Sequence, residues 1–440
     1  MLIYTEKITP RIDYIFRYML EEYLGIAFQL TESQEEFRNH AGEKLAYSNR
    51  PIDSELFLWK HPLMCEEVIC PQHIDLLTYN HLPAFFPVAV SESLFPFDII
   101  AASFYLLSRY EEYLPYQADI HGRFPSTCSL ALKAGFLHKP IVNIWAKWVF
   151  ETLQNRYPHL QEKKKCFSYL ATYDIDMAYA YLHRGILLNG AGLFQSIIKG
   201  NFKNSRERIL TLTRIRKDPF DTYDFQFNLQ VEFNLHVIYF ILCAPRRRAY
   251  DRNLPITNSA VKELINKLDN KAVIGIHPSF ASFNDLLQVR SETAALQRVV
   301  KQPIVCSRQH FLRMSLPDTY QMLIKNDISN DYTMAYADNP GFRASVCTPF
   351  YFFDLEKNES SSLMVHPFTY MDATLRDYCK LSVPEAEQKI QALIDETKAV
   401  QGIFTSLWHN SSLTQEADIQ WRKLYVRTLE YATNNSEFRI

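Results

Sequence analysis

Glycine is scarce in this chain, with 11 among 440 residues against a usual ~7%. Neither GxGxxG nor GxxxxGK[ST] occurs. That argues against the Gly-rich loops that cradle phosphates. A surplus of one charge is missing too: Lys+Arg number 47 and Asp+Glu 49, for a formal net charge of -2. A chain that coats nucleic acid non-specifically carries a basic excess, so no nucleic acid partner is expected. No stretch of ~18 apolar residues appears, and no membrane span is expected. The opening MLIYTEKITPRIDYIFRYML carries charges every few residues and has no signal-type apolar run, so a cytoplasmic location is the expectation. The eight cysteines (65, 70, 128, 166, 243, 306, 347 and 379) include no CxxC pair. Their scatter speaks against a zinc ribbon or a disulfide framework and for reduced thiols.

Hydrophobic residues make up 47% and charged residues 22%, a globular balance. Aromatics reach 14%, which favours thick aromatic cores over sugar-stacking surfaces. The length suits two or three domains. The charged run Glu162–Lys165 marks the expected boundary between an α+β domain at 1–162 and a second domain at 163–440. In the first, Ile12–Leu24, Phe97–Tyr113 and Ile141–Leu153 read as helices, the last with Trp145 and Trp148 on one face.

In the second, short apolar runs alternate with helical patterns. The expected strands are Phe167–Tyr173, Val237–Leu242, Ala272–His277, Pro303–Ser307, Tyr332–Tyr336, Leu363–Val365 and Gly402–Trp408. Helices are expected at Ser259–Leu268, Phe283–Val300, Pro317–Lys325, Met371–Tyr378 and Pro384–Val400, with a closing helix at Thr414–Thr433. Such alternation predicts a parallel α/β sheet, open or closed into a barrel. Residues 187–234 interrupt it as a helical, basic insertion.

Reactive residues of α/β sheets gather at the carboxyl ends of strands. The first strand ends Thr172-Tyr173-Asp174-Ile175-Asp176. Carboxylates at i and i+2 point to one side of a strand. They repel unless a cation or proton sits between them. A turn with a helix N-cap is the plainer reading of the same residues. His277, His310 and His409 follow three further strands, and His with Asp is a usual ligand set for Zn²⁺ or a similar divalent ion.

Five motifs then appear in order: ATYDID, GIHPSFAS, SRQHFL, HPFTYMDATL with the preceding DYTMAYADNPGFRASVCTPFYFFDL, and GIFTSLWHNSSL. They resemble the polysaccharide deacetylase (NodB-homology, carbohydrate esterase family four) superfamily, in a bacterial branch with an extra amino-terminal domain. The likeness covers residues from about 165 to 440. It implies a distorted (β/α) barrel and a metal-dependent hydrolase that removes an N-acetyl group from an amino sugar of a glycan or glycan precursor. It also implies a divalent metal: zinc, or cobalt, nickel or manganese.

By position, Asp174 matches the base, Asp176 the metal-binding Asp, His277 the first metal His, Arg308 the Arg that orients the base, and His409 the general acid. Ile175 lengthens the Asp spacing by one residue. The family's second metal His falls on Ala281, and His310 is the candidate to replace it. An inactive glycan-binding or scaffold relative, and a metal amidase on a non-sugar substrate, are the competing readings.

Asp338, Arg343 and Trp408 are candidate substrate contacts, against turn, salt-bridge and core readings respectively. Asp354 and Asp372 read as helix caps or surface charges. His366 ranks below His409. Arg246-Arg247-Arg248 reads as a solvated loop with anion contact as the alternative. The basic helical stretch Arg206–Arg216 suits a partner or an anionic surface.

Overall fold

Short apolar strands build the amino-terminal half of the computed structural model, which describes residues 1–415 and 419–433. Strands β1 (Leu2–Tyr4), β2 (Gln29–Thr31), β3 (Lys44–Ser48) and β4 (Phe57–Trp59) pair in the order β2-β1-β3-β4, all parallel. A hairpin of β5 (Leu76–Tyr79) and β6 (Leu82–Phe85) turns at Asn80 and His81, both at positive φ. Parallel pairing demands crossovers, and the helices Pro10–Phe16 and Gln34–Asn39 supply two of them. Strands and helices are thus mixed in this half, with a parallel sheet beside an antiparallel hairpin.

The carboxyl-terminal half carries β7 (Ser168–Ile175), β8 (His236–Leu242), β9 (Val273–His277), β10 (Cys306–Ser307), β11 (Asn330–Asp331), β12 (Phe350–Asp354), β13 (Glu359–Val365), β14 (Tyr370–Met371) and β15 (Ile403–His409). They form one sheet in the order β12-β13-β11-β10-β9-β8-β7-β15-β14. Every neighbouring pair is parallel except β12–β13. Strand β8, HVIYFIL, is buried at all positions after its first, the pattern of a parallel strand covered on both faces. Among the described residues no pairing joins β12 to β14, so the hydrogen-bonded sheet is open rather than a closed barrel.

Two local expectations fail for physical reasons. Tyr332–Tyr336 is buried but is not a strand; the ladder stops at Asp331, and the apolar run continues as a buried loop. Strands β12 and β14 carry too little pattern to be read, one as an antiparallel edge and one as two residues. The insertion folds as helices Gly185–Ile198, Phe202–Leu212 and Tyr223–Glu232. The final helix runs Ile419–Thr433; residues 416–418 of its expected start lie outside the described residues. All eight thiols are free.

One apolar core runs from Ile3 and Trp145 to Tyr173 and Tyr425. The halves are also tied by polar contacts. Tyr14 Oη donates to Tyr351 O at 2.7 Å, and the Lys163 amide donates to Leu24 O at 2.7 Å. The parallel register decides where the polar strand ends collect. Because β7, β9, β10, β14 and β15 run the same way, Asp174, Asp176, His277, Arg308, His310, Asp372 and His409 all emerge at one edge.

Candidate metal centre

Register places the first members. His409 pairs with Asp174 across β15 and β7, and Ser307 pairs with Ile276 across β10 and β9. Asp176, just past β7, turns its carboxylate among three imidazoles. Its Oδ1 lies 3.3 Å from His277 Nε2, and its Oδ2 lies 3.6 Å from His310 Nε2 and 3.7 Å from His409 Nε2. Asp176, His277 and His310 each offer a ligand atom, all within 4.8 Å of one another. Bonds of ~2.0–2.1 Å in a tetrahedron separate ligand atoms by roughly 3.4 Å, so the observed spacings fit one shared cation. Asp176 Oδ1 is buried with no hydrogen-bond partner. A buried carboxylate oxygen is costly in that state, and a cation would satisfy it.

Each imidazole is held from behind. His277 Nδ1 sits 2.5 Å from Arg308 O. His310 Nδ1 sits 3.0 Å from Asp251 Oδ1. Asp251 is itself fixed by the amides of Phe280 at 2.8 Å and Ala281 at 3.2 Å. Such outer partners set the tautomer and aim the other nitrogen at a metal. Ala281, the position of the absent motif histidine, thus lends its backbone to the carboxylate behind His310.

Charge shapes the site. Burial opposes ionisation of Asp176, yet His310 and His277 outweigh it and hold its carboxyl well below the usual range. Burial likewise disfavours a charged His310, but Asp176 and then Asp251 raise it to about 9. His409 rises to about 10 against burial, through Asp372 first and Asp176 next.

Asp174 is fully buried on the other flank. Arg308 Nη1 donates to its Oδ1 at 3.0 Å and to Thr172 Oγ1 at 2.8 Å. The Arg308 guanidinium lies between the rings of Phe240 and Phe368, 4.4 and 4.9 Å from their centres. Burial lowers its pKa, with Asp174 pulling the other way. His277 Nε2 stands 3.6 Å from Asp174 Oδ2. On the exposed side, His409 Nδ1 is 2.7 Å from Asp372 Oδ1, and its amide donates to Asp372 Oδ2 at 3.0 Å.

The peptide after His310 is held under strain. Phe311 and Leu312 have φ of 61° and 52°, in the left-handed region that bulky residues avoid. A loop of the first half clamps it: Arg123 Nη1 donates to Phe311 O at 2.8 Å, and Arg313 Nε donates to His121 O at 2.8 Å.

Four sequence candidates stand away from this cluster. Trp408 is fully buried, with Nε1 donating to Tyr370 Oη at 3.0 Å, so it has no free face for a sugar and is core. Arg343 is buried and spent on Glu112, with Nε–Oε1 at 2.9 Å and Nη2–Oε2 at 2.5 Å; it is structural. Asp338 accepts from the amide and hydroxyl of Ser126 at 3.2 and 2.9 Å. His366 stacks on Tyr332 at 4.3 Å, and its Nε2 meets Asn330 Oδ1 at 2.8 Å.

The site roles of two residues escape sequence reasoning: Asp251, and Asp372, which reads as a cap or surface charge but is buried against His409. Asp372 follows β14 at the same sheet edge, so the strand-end rule would find it were that two-residue strand legible. Asp251 lies in the loop RRRAYDRN, which carries no such signal.

This is a partly buried Asp–His–His cluster, flanked by a paired acid–Arg and a paired His–acid, with the ligand types and spacing that suit a divalent cation. A family of unknown function, DUF7033, matches residues 1–158. No curated protein matches the chain. Among solved structures, a putative polysaccharide deacetylase from Mycobacterium smegmatis is similar at 13% identity and a TM-score of 0.39, covering 61% of this chain and 85% of its own. A 4-alpha-glucanotransferase from Thermococcus litoralis is similar at 12% identity and a TM-score of 0.36, covering 62% of this chain and 38% of its own.

Proposed function

We propose that this chain is a metal-dependent hydrolase that removes an N-acetyl group from an amino sugar of a glycan or glycan precursor. The observation that carries the reading is the convergence of Asp176, His277 and His310 between two differently tuned flanks. The ordered motifs support it, and they imply a sheet of the deacetylase barrel type left open at one seam. A divalent cation at that triad would polarise the amide carbonyl and lower the pKa of a bound water.

The chain's own groups divide the remaining work. Asp174, kept in place by Arg308, which Thr172 holds in turn, accepts the proton of the attacking water. His409, held protonated by Asp372, donates a proton to the leaving amine nitrogen. His310 stands in for the histidine absent at Ala281, which is why hydrolysis is preferred here over an inactive relative. A rim of rings offers a surface for a sugar face: Tyr250 packs 4.4 Å from Phe280 and 5.1 Å from Phe311, and is 45% exposed.

The test is acetate release from N-acetylated amino-sugar oligomers by the full chain loaded in turn with zinc, cobalt, nickel and manganese. Turnover that needs metal, and that falls by roughly 10²–10⁴ in both Asp174→Asn and His409→Ala, is expected. Metal bound without acetate release from any N-acetyl sugar would sink the proposal. Turnover confined to simple amides would move the enzyme to the non-sugar amidases.

A further inference from the structure

Nearly half of the large apolar side chains left exposed in the described residues fall in one helical hairpin, Gly185–Ile198 and Phe202–Leu212 with Ile215 beyond. Ile186 is 90% exposed, Leu187 88%, Phe194 67%, Ile198 68% and Phe202 70%. On the first helix, Ile186, Leu187, Phe194, Ile197 and Ile198 share one face about 120° wide. The opposite face carries Asn189 and Gly192 and packs on the second helix. Arg208 Nη1 donates to Asn189 Oδ1 at 3.1 Å, and a Cβ at Gly192 would stand 2.6 Å from the Arg208 guanidinium. The hairpin is thus internally packed, with its greasiest side turned out. Monomeric soluble domains rarely expose a contiguous apolar patch without a partner for it.

Charge says which partner. From Gly185 to Lys217 the hairpin holds seven Lys or Arg and a single acid, Glu207. At its base a groove of about 590 Å³ is lined by Arg184, Lys199, Arg208, Arg247 and Arg252, with no carboxylate among its lining residues. Phe194 and Ile198 border the same groove. Burial, and then the charge of Arg247, lower the pKa of Arg184, with Asp218 pulling the other way.

We infer that this hairpin is an interfacial membrane anchor: its apolar face enters the acyl boundary of an anionic bilayer, and the arginine groove takes lipid phosphates. A second copy of the chain is the poorer occupant, since it would set two strongly basic surfaces against each other. The 14-residue first helix spans ~21 Å at 1.5 Å per residue, short of the ~30 Å hydrocarbon core, so it lies in the interface rather than across it. No helix among the described residues is long and apolar enough to cross a membrane. The hairpin leaves the carboxyl end of β7, so docking sets the metal-centre edge of the sheet towards the membrane side. The inference stands on the hairpin alone and does not depend on the reaction catalysed.

Flotation of the full chain with vesicles tests it. Vesicles of phosphatidylcholine with phosphatidylglycerol are expected to bind at least tenfold more tightly than pure phosphatidylcholine, with affinity falling as salt rises. Phe194→Asp with Ile198→Asp, both exposed, should cut binding at least tenfold while the thermal melt and helical circular dichroism match the parent. Lys199→Glu with Arg247→Glu should remove the preference for anionic vesicles. Failure to bind either vesicle would overturn the anchor, as would unchanged binding in the apolar double variant. So would concentration-dependent dimerisation that the apolar variant abolishes in the absence of lipid.

Discussion

His310 has both ring nitrogens engaged, Nδ1 by Asp251 and Nε2 towards Asp176. Asp251→Asn should therefore weaken zinc binding by about 10–100-fold without altering secondary structure, as read by isothermal titration calorimetry and circular dichroism. His310→Ala should lose more, and unchanged affinity there would remove it from the ligand set. Because His310 is held protonated up to about 9, metal must displace a proton below that pH. Zinc affinity should climb roughly tenfold per pH unit from neutrality and level off near 9, with calorimetric heats that vary with the buffer's ionisation enthalpy.

His366 behaves oppositely. Burial depresses it to about 4, below its value in an unfolded chain. The folded state then binds fewer protons between pH 6.5 and 4. Stability is full above 6.5 and falls through that window by about 3 kcal/mol. Urea melts of His366→Gln, which keeps a donor for Asn330, should lack this acid-side loss.

At this scale the imidazoles are legible because they end apolar strands. Trp408 and Arg343 mislead because a sequence does not show that a ring is walled in or that a guanidinium already has a carboxylate. Asp251 is invisible because its loop acquires meaning only when folded behind His310.

Elements place these residues, and one glycine shows how tightly. A Cβ on Gly275, in the middle of β9, would stand 2.6 Å from the Phe240 ring and 3.0 Å from Cys306 O. Phe240 is the ring on which Arg308 lies. Gly275→Ala should thus destabilise the protein by about 1–3 kcal/mol through overpacking, measured by urea unfolding. Strands β7, β8, β9 and β15 are readable as apolar runs because both of their faces are covered. The segment Tyr332–Tyr336 wears the same composition, yet its backbone leaves the ladder at Asp331. Apolar content reports burial, and only pairing makes a strand.

For the whole molecule, alternation of strands and helices is enough to predict a parallel α/β sheet. Closure is not legible, since it depends on whether two outer strands without clear pattern meet. Nor can the sequence reveal how the halves join. Glu112 of the first half lies between Arg109 at 2.8 Å and Arg343 of the second at 2.5 Å, all three buried. Glu112→Gln would leave the buried Arg343 guanidinium without a carboxylate and Arg109 with Glu111 alone. A loss of about 3–5 kcal/mol is expected, seen as a lower midpoint in urea with both halves unfolding together.

The bond from Arg123 to the carbonyl of Phe311 spans 188 positions of chain. Its consequence is one of inheritance: the stretch that delivers a candidate metal ligand is braced by a side chain from the other half of the polypeptide. Swapping in a foreign leading segment, or borrowing the trailing portion as a cassette for another enzyme, would leave that left-handed turn free to relax and carry His310 out of reach of Asp176.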